Sequence, residues 1–202
     1  MMKRRILLAL FALSALAPCI ASAFSLDQLQ TQLRAQPIVR GRFTQQKFLR
    51  SLPQPLTSRG DFTLAQGKGL LWKLTSPFEQ DLRITPQGIA KRDAQGRWQA
   101  LPQQMGASRE IGIFLAVLAG DTRGLQENFD ISLAGDAQAW TMTMKPSSAL
   151  LGQIFEAIVI QGGALVQRIE LRETQGDRTV LQLQDVQPAA QLNDEEQRAY
   201  AP

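Results

Sequence analysis

Whatever this chain does, it does without imidazole and with at most one thiol. Its 202 residues contain no histidine and one cysteine, Cys19. A Ser-His-Asp relay, a Cys-His pair and a zinc site of the usual ligands are therefore excluded from any form that has lost Cys19. Acid–base work would fall to carboxylates, Ser, Thr, Lys and the lone Tyr200. No spacing gathers these groups, and the adjacent pair Glu195-Glu196 sits in a polar stretch from Gln187 onward that is expected to fray. The expectation is a binding protein, with no enzyme activity, cofactor or metal.

The repeated chemical theme is apolar. Leu70, Trp72 and Leu74 alternate with Leu71, Lys73 and Thr75, and Trp140, Met142 and Met144 alternate with Thr141, Thr143 and Lys145. Period-two alternation places each trio on one face of a strand. A face that large needs an apolar cover, either the protein's own core or a ligand. For any single residue, core packing is the commoner outcome.

The elements that carry these trios can be read from the punctuation. Residues 1–23 have a basic start (Lys3, Arg4, Arg5), an apolar run from Ile6 to Ala17 and the small-residue site Ala21-Ser22-Ala23. This is the pattern of a secretory signal cleaved after Ala23, too short for a comfortable membrane span. Leu16-Ala17-Pro18-Cys19 loosely resembles a lipoprotein signal, in which the cysteine becomes the lipidated first residue. Pro18 stands where that signal wants a small residue, so the soluble form is the expectation. Cleavage takes three cations and no acid, which lowers the net charge from +4 to one excess cation and removes the case for nucleic acid. The expected organisation is a signal over 1–23, one domain over 24–186 and a polar tail over 187–202.

Ser25 to Gln36 reads as a capped helix with Leu26, Leu29 and Leu33 on one face, ended by Pro37. Strand patterns follow over 39–48, 60–64, 70–75, 81–85, 89–91 and 97–100, separated by Gly and Pro. Glu110 to Ala119 is a helix apolar nearly all round and must be covered on most sides, with a further turn expected over Thr122 to Gln126. Strands resume over 129–133, 140–145, 156–160, 165–173 and 179–186, with Gly162-Gly163 and Gly176-Asp177 as hairpin turns. Ile169 and Leu171 are expected to face Leu181 and Leu183, with Arg168, Glu170 and Arg172 in solvent.

The order of elements, with Gly41-Arg42-Phe43-Thr44-Gln45-Gln46, Ser58-Arg59-Gly60-Asp61-Phe62, Gly69-Leu70-Leu71-Trp72 and Pro77-Phe78-Glu79-Gln80, resembles the periplasmic outer-membrane lipoprotein carrier family (LolA/LolB-like), in particular its divergent LolA-related branch. The resemblance implies an α+β, mainly β fold: an open, curved antiparallel half-barrel of about ten to eleven strands covered by lid helices. It also implies a monomeric periplasmic carrier that shields acyl chains of a lipoprotein or other envelope lipid, between an inner-membrane donor and an outer-membrane acceptor. The lipid-binding face would comprise Phe43, Phe62, Leu70, Trp72, Leu74, Leu82, Ile84, Phe114, Leu115, Leu118, Trp140, Met142 and Met144. Alternatives are an envelope lipid-sensing or interaction module, and a lipid-anchored LolB-like receptor if Cys19 is lipidated. One departure matters: the best-known carriers place an arginine just before the proline of the strand–loop segment, where it latches the lid. Here that residue is Ser76, and Lys73 falls on the face opposite Trp72. Arg40, Arg42, Arg59 and Arg83 are either headgroup contacts or a solvated face.

Overall fold

The computed structural model describes residues 24–102, 113 and 115–201. Helix α1 (Leu26–Arg34) begins at Ser25, whose hydroxyl accepts from the Gln28 N–H while the Gln28 side chain accepts from the Ser25 N–H. This reciprocal capping box fixes the helix start. Leu29 and Leu33 are buried on its inner face.

Eleven strands form one sheet. They are β1 (Ile38–Phe48), β2 (Leu56–Ala65), β3 (Gly69–Ser76), β4 (Gln80–Thr85), β5 (Gly88–Arg92), β6 (Trp98–Ala100), β7 (Phe129–Gly135), β8 (Trp140–Pro146), β9 (Phe155–Gly162), β10 (Val166–Glu173) and β11 (Arg178–Ala189). Their order is β6-β5-β4-β3-β2-β1-β11-β10-β9-β8-β7, and every neighbouring pair is antiparallel. Two meanders, β1–β6 and β7–β11, are thus joined side by side through their outermost strands in sequence. This order dictates where the lid goes. Since β6 and β7 are the opposite edges of an open sheet, the chain between them must cross a whole face. Open sheets of this size curl because each strand is rotated against the next, which gives that face its concavity. Residues 113, 115–118 and 122–126 of the crossing are helical. Ile113, Val117, Leu118 and Leu125 enter the core with Leu29 and Leu33 of α1. Of the lid helix expected over 110–119, residues 110–112 and 114 lie outside the described residues.

Two motifs from the sequence explain the tight join of β1 and β2. The antiparallel register sets Gly41 opposite Phe62 and Phe43 opposite Gly60. A Cβ on Gly41 would lie 2.8 Å from the Phe62 ring, and one on Gly60 would lie 2.8 Å from the Phe43 ring and 1.9 Å from the Lys73 carbonyl oxygen. Each ring therefore lies over the other strand's glycine, the device by which aromatic residues cover glycines in sheets. The same device recurs at Trp140, which pairs with Gly162: a Cβ there would meet the indole at 2.5 Å.

The structure corrects three expectations. First, the C-terminal stretch does not fray, since Asp194–Tyr200 is a helix. Asn193 caps it and Glu196 returns a bond to the Asn193 N–H, a second capping box. The helix is held to the convex face of β1–β4. There Glu196 accepts from Arg40 and from the Thr63 hydroxyl, and Arg83 donates to the Ala199 and Ala201 carbonyls. The Tyr200 hydroxyl lies 2.9 Å from the carbonyl oxygens of both Thr63 and Gly69. Burial pushes the Tyr200 phenol well above its ordinary pKa. Second, Glu170 is buried, not solvated. Arg168 and Arg172, two residues away on either side, donate to its two carboxylate oxygens at 2.6 and 2.8 Å and cover it. Third, Ile169 does face Leu181, but Leu171 faces Thr179, and Leu183 faces Phe43 across β1.

Candidate functional site

The concave face is assembled from alternate residues of every long strand. On the β2–β5 side, Phe62 pairs with Trp72, Trp72 with Leu82, Leu70 with Ile84, and Ile84 with Ile89. On the other side, Ile131 pairs with Met144, Leu133 with Met142, Met142 with Ile160, and Met144 with Ile158. The two runs meet at Phe43, which pairs with Gly60 and Leu183. At this junction the Phe43 and Trp72 rings stack with centroids 3.6 Å apart, and Phe62 lies tilted 6.3 Å from Trp72. Such stacks add to area burial and hold large side chains in one orientation.

The structure therefore brings Phe43, Phe62, Leu70, Trp72, Leu74, Leu82, Ile84, Trp140, Met142 and Met144 to one face, with Leu115 and Leu118 on the crossing segment. Phe114 lies outside the described residues. These residues are not equivalent. Trp140, Met142 and Met144 are 2%, 2% and 0% exposed, whereas Trp72, Leu74, Leu82 and Leu115 are half-buried. Trp140 is also pinned by its indole N–H, which donates to the Gly163 carbonyl at 2.7 Å.

The described end of the lid packs down on this face. Beneath it, between Phe62, Leu64, Leu33, Leu118 and Leu183, the free space is about 10 Å³, too little for an ordered water in most settings. Larger spaces flank the lid. One of about 330 Å³ is lined by Leu64, Ala65, Gly67, Gly69 and Pro86 facing Leu115, Ala116 and Ala119. Another of about 400 Å³ lies between Ile113, Ala116 and Leu125 and the Phe129, Leu150 and Leu151 side. Both reach Ala116 and Asp121, so the described part of the lid is a helix with a pocket on each side.

Ser76 leaves the latch arginine's position without a cation, and Lys73 stands on the convex face in register with Asp61 and Asp81. Among the described residues, the end of the lid is tied to α1 instead. Gly120, with φ +67, comes so close that a Cβ would lie 3.0 Å from Cβ of Leu33, and only glycine adopts that φ without strain. Asp121 caps the helix Thr122–Gln126 and lies 3.7 Å from Arg34. Helix α1 is tied in turn to the β7–β9 side by Gln32, whose amide donates to the Gly163 carbonyl at 2.6 Å. The lid end and α1 thus form one unit anchored on one half of the sheet.

The arginines resolve by geometry. Arg40 is paired with Glu196, Arg42 with Asp185, and Arg83 with the carbonyls at the chain's end, while its guanidinium also lies 5.1 Å from the Trp98 ring. These three build the convex face, and Arg59 is exposed. A narrow groove of about 150 Å³ runs between the C-terminal helix and this face, with Asp61, Lys73, Asp81, Arg92 and Glu195 among its lining. Its charges alternate in sign across the strands, so they neutralise one another.

Residues 37–196 match the family described as outer membrane lipoprotein carrier protein LolA. An outer-membrane lipoprotein carrier protein of Dechloromonas aromatica (strain RCB) is 29% identical over 133 residues, covering 62% of this chain and 60% of that protein. The chain thus aligns with less than two thirds of that relative's length. Among solved structures, the MucA/MucB complex of Pseudomonas aeruginosa aligns with TM-score 0.50 at 13% identity, over 85% of this chain and 58% of that one. A LolA superfamily protein of Nitrosomonas europaea aligns with TM-score 0.47 at 9% identity, over 86% of this chain and 97% of that one. The match over residues 37–196, on an open antiparallel sheet with a helical cover, places the chain in the LolA family of outer membrane lipoprotein carrier proteins.

Proposed function

We infer that this protein is a periplasmic carrier that shields the acyl chains of a lipoprotein, or of another envelope lipid, on its way towards the outer membrane. Two observations support the reading: the half-buried aromatic and aliphatic strip at Trp72, Leu74 and Leu82 on the concave face, and a pocket of about 330 Å³ beside the lid between Leu64 and Leu115. Each methylene withdrawn from water there gains about 0.8 kcal/mol, so a chain of about ten carbons gains about 8 kcal/mol, enough to compete with a bilayer. The lid's own apolar side chains fill the space when no cargo is present and move aside for it. Signal cleavage after Ala23 delivers the soluble form, a single domain that extends past the expected 24–186, through β11 to Ala189 and on to the helix Asp194–Tyr200 docked on its back. A donor in the inner membrane and an acceptor in the outer membrane complete the route. In this reading the protein performs binding, not catalysis.

The test is recovery of the protein from periplasm followed by lipid extraction and mass spectrometry, with titration of a fluorescent fatty acid in parallel. The expected result is bound acyl lipid and saturable uptake that changes Trp72 fluorescence. Absence of both overturns the reading, and an acylated N-terminus at Cys19 redirects it to the anchored receptor.

A further inference from the structure

The two pockets beside the lid share a wall. Ala116 and Asp121 line both, and the rest of each lining is uncharged: Leu64, Ala65 and Leu115 are in one, Leu125, Phe129 and Leu151 in the other. Among the described residues, Asp121 is the one charged side chain that lines either pocket. At about 330 and 400 Å³ each is the size of a ligand pocket, whereas the space of about 10 Å³ under the lid is not. The Asp121 side chain is 48% exposed, so the pockets converge where the protein meets water. Its carboxylate is held there by the Gly124 N–H, which donates to it at 3.2 Å. Arg34 lies 3.7 Å from Asp121 but lines neither pocket.

We propose that these pockets seat the two tails of one lipid, one on each side of the lid helix, with the polar end that joins them at Asp121. Tails held by one glycerol need entrances a short distance apart, and Ala116, the small residue common to both linings, keeps the wall between them thin. The second tail is already tethered when the first is seated, so it enters without a second association step. The head then meets a fixed carboxylate. A head with net negative charge is repelled there, and Arg34, itself 51% exposed, offsets that repulsion only in part. The selected ligand is a two-chain lipid whose head carries no net negative charge. This inference rests on the carrier reading and adds to it a second tail site and a residue, Asp121, that selects the head.

The experiment titrates the full secreted chain at low salt with four probes of equal chain length: monoacylglycerol, an uncharged diacylglyceryl-cysteine lipopeptide, phosphatidylethanolamine and phosphatidylglycerol. The protein is expected to take up two monoacylglycerols but only one of each two-chain lipid. Phosphatidylglycerol should bind about 2- to 5-fold more weakly than phosphatidylethanolamine. Leu150, 60% exposed, lines the larger pocket alone, so Leu150→Trp narrows that pocket without emptying the core and should reduce the monoacylglycerol count to one. Asp121→Asn keeps the helix cap, since Asn serves there as well as Asp, and should bring the ratio of the two phospholipids towards one. Arg34→Gln should widen it. The tighter of lipopeptide and phosphatidylethanolamine identifies the source of the two tails. A parent that takes one monoacylglycerol, or an Asp121→Asn variant that keeps the parental ratio, overturns the inference and leaves the carrier reading intact. A parent that binds no probe overturns both.

Discussion

The two wings of the sheet are built from the same alternation and yet pack differently. In the β7–β11 wing the inward side chains Met144, Ile158, Ile160 and Ile169 are all 0% exposed, and Trp140 is locked by its bond to Gly163. In the β2–β5 wing Trp72, Leu74, Leu82 and Ile89 are half-buried, and the lid meets the sheet through small residues, Ala65, Gly67 and Gly69 against Ala116 and Ala119. Large side chains that interdigitate leave no room, whereas small ones facing one another leave a gap. The first wing packs as a core, and the second leaves part of its inward face half-buried. Met142 and Met144, whose flexibility suits variable lipid tails, lie in the first wing and pack as ordinary core.

Trp140→Ala is the strongest test of that difference. It empties a fully buried site and leaves the Gly163 carbonyl without its donor, so a loss of about 3–5 kcal/mol is expected in denaturant unfolding. Trp72→Ala on the other wing should cost less stability, about 1–3 kcal/mol, but should weaken acyl-ligand affinity by about tenfold, read by fluorescent fatty-acid titration. Equal stability losses with no effect of Trp72→Ala on binding would erase the distinction between the wings.

That distinction was hidden in the sequence for a physical reason. Alternation at 70–74 and 140–144 reports which face a side chain takes, and all eleven strands were legible from it together with the Gly and Pro between them. It does not report what covers the face, which depends on residues far away in the chain. The reciprocal Gly41–Phe62 and Phe43–Gly60 packing was half visible, as two Gly-x-Phe triplets, but needed the strand register to have meaning. The C-terminal helix was missed because it docks through Glu196 and Tyr200 and not through an apolar stripe. Its one readable signal was Asn193 followed three residues later by Glu196, a capping box.

The convex clamp gives the next effect in size. Burial alone would raise the Glu196 pKa, but bonds from Arg40, the Asn193 N–H and Thr63 outweigh it and hold the carboxyl below its usual range. A depressed folded pKa means stability that is present above the unfolded value and lost as pH falls through the folded one. Glu196→Gln should therefore cost about 1–2 kcal/mol at neutral pH. The gap from the parent should close as pH drops below ~4. Thermal melts of both proteins between neutral and acid pH decide this, and a constant gap would show that the charge of Glu196 contributes nothing. Because the helix sits behind the loose wing, the loss should also reduce acyl affinity more than Trp140-side changes of equal cost.

The smallest expected effect separates a clamp from a decoration. Arg42 and Asp185 also pair on the convex face, but their side chains are 65% and 58% exposed, and solvent and salt screen such pairs. Asp185 keeps its place for another reason. It has φ 51 at the point where β11 carries extra chain against β1, between the pairs Arg40–Gln187 and Arg42–Gln184, so the bulge and not the arginine sets its position. Arg42→Ala should change stability by no more than about 0.5 kcal/mol, and that difference should vanish in 1 M salt. Two arginines two residues apart in sequence, Arg40 and Arg42, would then differ in consequence because only the first meets a buried carboxylate. A loss as large as that of Glu196→Gln would mean that the whole row of convex charges acts as one network, and that the loose wing is held from behind along its entire length.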